Sequence, residues 1–307
     1  MEQIVLKKEK MPLKRKLFIA SIVTIPMLSF AFFYVYINFN SFLLAFQSID
    51  VNENYSFVGF DNFKKFFSTV LSGSGAGLAF TNSLKNFWIT FGISTPLYIL
   101  FAYYIFRKMP GEKMLFVVVM LPSAVSTFVY ALCYKKFIEV SLQDIMRNMG
   151  IFNFPQLISH PDYCNFNNLF FSIWISFGAN VFIFSNAMGA VDKEVLESAV
   201  IDGANDRVQF FGIVLPLIWP TFTTYCVTGL TGMFTWSGAL MTFYMYDAPK
   251  HIWGLDYYFT VTIKNTGALG YMNYPMVATA GLFVTIISTP VVFFAKWIMT
   301  KLDRTLD

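Results

Sequence analysis

Charge is scarce in this chain. Asp, Glu, Lys and Arg make up 13% of its 307 residues, against about a quarter in a soluble domain. Hydrophobic residues make up 56% and aromatics 19%. That balance excludes an ordinary soluble domain and points to a membrane protein. Cysteine is scarce as well. Cys133, Cys164 and Cys226 show neither disulfide nor metal-ligand spacing. Cys133 and Cys226 sit in apolar runs and are expected to be small packing residues. The two histidines, His160 and His251, are far apart in the sequence. No His, Cys, Asp and Glu group has ligand spacing, so no metal site is expected. There is no GxxxxGK(S/T) phosphate loop, which excludes ATP binding by that motif. A nucleophile–base pair and a cofactor loop are also missing, so an enzyme has the least support.

What is present is long apolar runs. Residues 17–39, 87–106, 114–134, 169–190, 217–246 and 276–295 are each long enough to cross a bilayer. None contains Asp, Glu, Lys or Arg. The expected fold class is therefore all-α, a polytopic membrane protein with six transmembrane helices. The expected organisation is a tail at 1–16, a membrane domain at 17–300 with a loop at 191–216, and a tail at 301–307. The first run follows Lys7, Lys8, Lys10, Lys14, Arg15 and Lys16. It is longer than a signal-peptide core and no small-residue cleavage site follows, so a retained anchor is expected.

The net charge of +4 reflects orientation better than nucleic-acid binding. An even number of spans puts both termini on one side. That side holds 14 of the 22 Lys and Arg residues, including the Arg107-Lys108 turn, and the other side holds 8. The positive-inside rule then places both termini and the 191–216 loop in the cytoplasm. The outer loops are larger. Ser72-Gly73-Ser74-Gly75-Ala76-Gly77 reads as a flexible tip. Phe137, Ile138, Val140, Leu142, Ile145, Met146 and Met149 form an amphipathic pattern. It fits a helix on the outer membrane surface or one packed on the bundle.

A transporter driven by an ion gradient usually carries ionisable residues inside the membrane. Their absence here means that uphill transport would draw its energy from another subunit. Neutral polar residues do recur at helical spacing. Ser172, Ser176 and Asn180 form one stripe. Thr224, Thr228, Thr231 and Thr235 form a second, with Gly232 and Trp236 close by. Asn86, Thr90 and Ser94 form a third. Each set projects from one side of its helix. They fit close helix packing or a path lined for an uncharged, hydroxyl-rich solute. The stripes with Ser172, Ser176, Asn180, Thr228, Thr231, Gly232, Thr235 and Trp236 are the preferred candidates, because they flank the 191–216 loop.

That loop has a helical pattern of its own. Glu194 and Glu197 are three residues apart, and Leu196 with Val200 gives a small apolar face. Asp202-Gly203 is expected to stop the helix. A second run, Phe210, Phe211, Val214 and Leu215, leads to Pro216 and Pro220. On spacing alone it could be an ordinary connector.

The segment resembles the EAA motif of ABC importer permeases: Glu-Ala-Ala, three residues, Gly, nine residues, Ile-x-Leu-Pro. Glu197-Ser198-Ala199 stands for the triplet, Gly203 follows at the right spacing, and Ile213-Val214-Leu215-Pro216 closes it. Ser198 for the first alanine is the one departure. The string Ile201-Asp202-Gly203-Ala204 is similar to the sugar-importer branch. Phe57-Val58-Gly59-Phe60-Asp61-Asn62-Phe63 resembles a stretch of the maltose-permease-like type, and Trp174 also fits. The resemblance implies an ABC type I importer permease fold in a bacterial inner membrane. It implies partners: a second homologous permease, two cytoplasmic ATP-binding subunits that hold ATP and Mg, and an extracellular solute-binding protein. It implies that Glu197, Ser198, Ala199, Asp202, Gly203 and Ala204 couple to the ATPase, with Glu197 as a polar anchor. A partner-independent facilitator and a permease for a non-sugar solute are the competing readings.

Overall fold

In a bilayer no water satisfies backbone amides and carbonyls, so apolar runs of this length must pair internally and fold as helices. The computed structural model describes residues 12–73, 75–265 and 267–303. Lys7, Lys8, Lys10 and Arg304, which weigh in the orientation argument, lie outside that range, as do most of the tails at 1–16 and 301–307.

The first run forms α1, Leu13–Leu44. Its 32 residues cover about 48 Å, more than the roughly 30 Å hydrocarbon core. Every described side chain from Leu13 to Leu43 is exposed. An apolar helix bare on all sides suits lipid or another membrane subunit. Only its last turns meet the rest of the chain. There a short antiparallel hairpin, β1 (Gln47–Ile49) and β2 (Tyr55–Phe57), sets Gln47 opposite Phe57.

Asn62, buried in α2 (Asp61–Leu71), closes this corner. Its amide donates to the carbonyls of Ala45 at 3.0 Å and Gln47 at 2.7 Å. This gives the Phe57–Phe63 stretch a physical role in fixing the exit from α1. Asn62→Ala should cost about 1–3 kcal/mol, because the Gln47 carbonyl loses the amide and the buried Ala45 carbonyl keeps only the Thr279 hydroxyl. The expected readout is a lower thermal midpoint in lipid discs; an unchanged midpoint would contradict this role.

The membrane core follows as α3 (Ala76–Phe106), α4 (Glu112–Ala124), α5 (Thr127–Asn148) and α6 (Cys164–Gly189). Next come α7 (Lys193–Ile201), α8 (Asp206–Leu217) and α9 (Trp219–Thr231). The chain ends with α10 (Leu240–Tyr244), α11 (Leu255–Asn265) and α12 (Tyr274–Lys301). Four helices among the described residues are long and apolar enough to cross a membrane, or up to 6 if each bent pair counts as one span.

Those bends correct two expected spans. The run 114–134 is not straight: α4 and α5 meet at 102°. Pro122 sits in a 3-10 turn there, and Val125 is extended. The run 217–246 is not one helix either. It stops at Thr231 and restarts at Leu240. The Gly-rich stretch is also different from a flexible tip. Ala76 and Gly77 are already buried in the first turn of α3, while Ser74 lies outside the described residues. Cys226 is buried but Cys133 is exposed, so Cys133 faces outward from the bundle and is not a packing residue. The 137–149 pattern continues α5. Ile138 packs on the cluster around Tyr134, and Phe137, Val140, Ile145 and Met149 are exposed.

α3 and α6 form the central pair. At one end Tyr98, Ile99, Ala102 and Tyr103 of α3 pack with Val181, Phe184 and Met188 of α6 and Phe210 and Val214 of α8. Towards the other end α3 packs with α2, α9, α11 and α12 through Phe66, Phe87, Leu230, Leu255 and Val284. The indole N–H of Trp219 donates to the Met299 carbonyl at 2.8 Å, which sets the end of α12 beside the start of α9. Thr279, near the start of α12, meets the Ala45 carbonyl at 3.1 Å. The end of α1 therefore lies beside the start of α12.

Candidate functional site

The loop helix α7 is built by local chemistry. Asp192, in extended conformation, caps it: its carboxylate accepts the Glu194 N–H at 3.1 Å. At the far end Gly203 has φ +81°, a conformation that costs other L-residues roughly 1–2 kcal/mol. There the Gly203 N–H donates to the Val200 carbonyl at 3.0 Å and the Ala204 N–H to the Ala199 carbonyl at 2.9 Å. This pair of bonds is a Schellman ending. Asn205 then caps α8 by accepting the Val208 N–H at 3.0 Å.

The cap and the turn decide what α7 presents. Ala199 is buried and Leu196 packs on the core. Glu197, Ser198, Asp202 and Gly203 are exposed and Ala204 is half-buried. The expected Leu196–Val200 face is therefore split, with Leu196 inward and Val200 outward. The outward apolar surface is Val195, Val200 and Ile201, and Ile201 is 86% exposed. Ile201 carries no periodic signal because it lies at the last turn. A carboxylate beside bare aliphatic groups can dock on a partner; among the described residues no hydrogen bond or ion pair engages it.

Two grooves run along α3, α6 and α9. One, about 310 Å³, is lined by Thr90, Ser94 and Tyr98 of α3, Ser172, Ser176 and Asn180 of α6, and Trp236, with the rings of Phe91 and Tyr225. The other, about 450 Å³, is lined by Asn180, Thr221, Thr224, Tyr225 and Thr228. They share Asn180, Tyr225 and Gly229 and are open along one side. No residue lining either groove is Asp, Glu, Lys, Arg or His. The surface offers hydroxyls, one amide and aromatic faces, which suits a neutral polyhydroxylated solute better than an ion.

The structure brings Ser172, Ser176, Asn180, Thr228 and Trp236 into these grooves. Thr231, Gly232 and Thr235 line neither. Helical spacing placed Thr235 on the face of Thr228, but the helix ends at Thr231. Some hydroxyls are also engaged. The Ser172 hydroxyl donates to the Asn168 carbonyl at 2.7 Å, and those of Ser176 and Tyr98 lie 2.8 Å apart.

The break after α9 is held by polar groups that spacing did not single out. Asn168, fully buried, donates to the Ser237 carbonyl at 3.1 Å and accepts the Ala239 N–H at 2.7 Å. Ser83 donates to the Trp236 carbonyl at 2.8 Å and accepts the Leu255 N–H at 2.9 Å. Non-helical backbone at membrane depth persists only where its groups are satisfied this way. Gly238 has φ +63°, and a Cβ there would lie 2.6 Å from the Asn168 Oδ1. Trp236 thus projects into the groove from a fixed backbone.

A polytopic helical bundle with an exposed loop helix at one end and a neutral polar groove within has the fold of an ABC importer permease. The membrane chain of a bacterial ABC transporter that imports the acidic polysaccharide alginate superposes with a TM-score of 0.74 at 19% identity, over 95% of this chain and 98% of that one. No family model matches. The arabinooligosaccharide transport permease AraP of Bacillus subtilis is 29% identical over 206 residues, 66% of this chain and 63% of that protein. The alpha-glucoside permease AglF of Rhizobium meliloti is 39% identical over 71 residues, 23% of this chain and 21% of its own length. The sn-glycerol-3-phosphate permease UgpA of Shigella flexneri is 26% identical over 197 residues, 61% of this chain and 63% of that one. The chain thus aligns with less than two thirds of the length of each of these relatives. It is a relative of the sugar-type ABC importer permeases.

Proposed function

We propose that this chain is the membrane permease of an ATP-driven importer and moves an uncharged sugar or oligosaccharide into the cytoplasm. The observation that carries this reading is the pairing of two features in one bundle. A capped, Schellman-ended helix exposes Glu197, Val200 and Ile201, and the helices it packs on line a charge-free groove of hydroxyls and aromatics. Glu197, Ser198, Ala199, Asp202, Gly203 and Ala204 form the docking segment for an ATP-hydrolysing subunit, which holds ATP and Mg. Ser172, Ser176, Asn180, Thr228 and Trp236 contact the sugar.

The loop and both termini face the cytoplasm in this reading, supported by the excess of basic residues at that end. A second, homologous permease completes the path. The grooves are open on one side and α1 is bare, which leaves surface for such a chain. AglF and AglG, both alpha-glucoside permeases of Rhizobium meliloti, match this chain. A solute-binding protein delivers the sugar to the opposite face; one solved structure of the same fold is an alginate transporter in complex with its oligosaccharide-bound periplasmic protein. The absence of charge in the groove favours neutral cargo over a uronate or a phosphate.

Co-purification from native membranes tests the assembly. Recovery of a second permease and an ATPase is expected, with ATP hydrolysis that rises with one neutral oligosaccharide and its binding protein. Recovery of this chain alone, passing solute without ATP, would sink the proposal.

A further inference from the structure

The loop is joined to the groove wall by a polar cluster whose members lie about a hundred residues apart in sequence. Arg107 ends α3. Its guanidinium forms an ion pair with Asp206 in the first turn of α8 and donates to the Gln209 Oε1 at 3.1 Å. Gln209 is buried, and its amide donates back to the Ala204 carbonyl at 2.7 Å, beside the turn at Gly203. The Tyr103 hydroxyl donates to the Asp206 carbonyl at 3.2 Å, and its ring lies 4.7 Å from that of Phe210.

Both charges sit where helix dipoles favour them: a cation at the C-terminus of α3 and a carboxylate at the N-terminus of α8. Gln209 is nearly sealed from solvent and uses both ends of its amide, so it admits one geometry. α3 continues from this cluster to Tyr98, Ser94 and Thr90, which line the groove, the nearest about 14 Å along the helix. On the other side the chain bends by 65° between Leu217 and Trp219, where Ile218 has φ −90° and ψ 3°. The loop is therefore braced towards α3 and bent where it leads into α9.

We infer that Arg107 is a positioning residue that makes the Glu197 loop move as one body with α3, so that force received at α7 reaches the groove wall. This rests on the proposed coupling function. A loop held only by its chain connections could yield at both ends and waste the stroke. With Arg107 seated between Asp206 and Gln209, polar contacts add to the apolar packing of Leu196, Phe210 and Val214 in tying the loop to α3.

The test uses the whole assembly in lipid discs and proteoliposomes. Arg107→Gln and Asp206→Asn should each lower sugar moved per ATP hydrolysed by roughly fivefold or more, with the subunits still assembled. The reciprocal pair, Arg107→Asp with Asp206→Arg, should recover much of that ratio. Arg107→Lys, which keeps a charge but lacks the fork that reaches both partners, should fall between. Hydrogen exchange at the amides of residues 198–209 reads the brace directly and needs no partner. It should speed up in Arg107→Gln and Asp206→Asn and return in the reciprocal pair. Wild-type ratios in the single variants, or loop exchange that ignores them, would overturn the inference. A wild-type assembly that lacks ATP coupling would instead overturn the function on which it rests, and the exchange result would still decide whether the brace exists.

Discussion

Glu197→Lys is expected to stop sugar uptake while ATP hydrolysis by the assembly continues. Glu197 is exposed on α7 beside Val200 and Ile201, and no hydrogen bond or ion pair among the described residues engages its carboxylate. The substitution therefore leaves this chain's own packing and the caps at Asp192 and Asn205 intact. In the proposed docking, what it removes is a charge-assisted bond to the ATP-hydrolysing partner, and it sets a cation in its place. Loss of one such bond is enough to weaken docking about tenfold or more. Glu197→Gln, which keeps the shape and loses only the charge, should fall between the two. The check is uptake and ATP hydrolysis on the same preparation, with subunit stoichiometry measured alongside. Normal uptake by an intact Lys variant would remove Glu197 from the account.

Asn168→Leu should be the most damaging single change to the groove. Asn168 has no exposed surface and satisfies the Ser237 carbonyl and the Ala239 N–H together. Leucine fits the apolar surroundings but leaves both backbone groups without partners. At about 1–3 kcal/mol for each orphaned group, the loss is about 2–6 kcal/mol, a large part of the stability of most domains. The expected result is a marked fall in thermal midpoint and loss of transport, because Trp236 no longer has a fixed backbone. Gly238→Ala reports on the same clamp by another route, since its new Cβ would meet Asn168 Oδ1 and Ser172 Oγ at 2.6 and 2.7 Å. A variant at Asn168 that keeps its midpoint would show that the break between α9 and α10 holds itself.

The features that were legible in the sequence are local ones. Gly203 marks the end of α7 because its φ of +81° is a conformation that glycine meets most readily. Ser172, Ser176 and Asn180 share a groove because α6 stays helical throughout, so spacing converts directly into a face. Thr235 failed for the opposite reason. The apolar run continues unbroken to Tyr246, and nothing in its composition reveals that Asn168 and Ser83, on other helices, capture the backbone near Trp236. Cys133 misled in a related way, since an apolar neighbourhood in a membrane chain marks a surface as readily as a core. The Arg107–Asp206–Gln209 cluster was invisible because its members meet only after α3 and α8 are placed side by side. In the sequence Arg107 shows only its charge, which says which side of the membrane it prefers and nothing about its partner.

The most direct measurement is labelled-oligosaccharide uptake into proteoliposomes holding the complete assembly, with binding protein outside and ATP inside. The account predicts accumulation of a neutral sugar above the external concentration, dependent on internal ATP and lost in Glu197→Lys. Equilibration without accumulation, unchanged when ATP is withheld, would contradict it and leave this chain a facilitator.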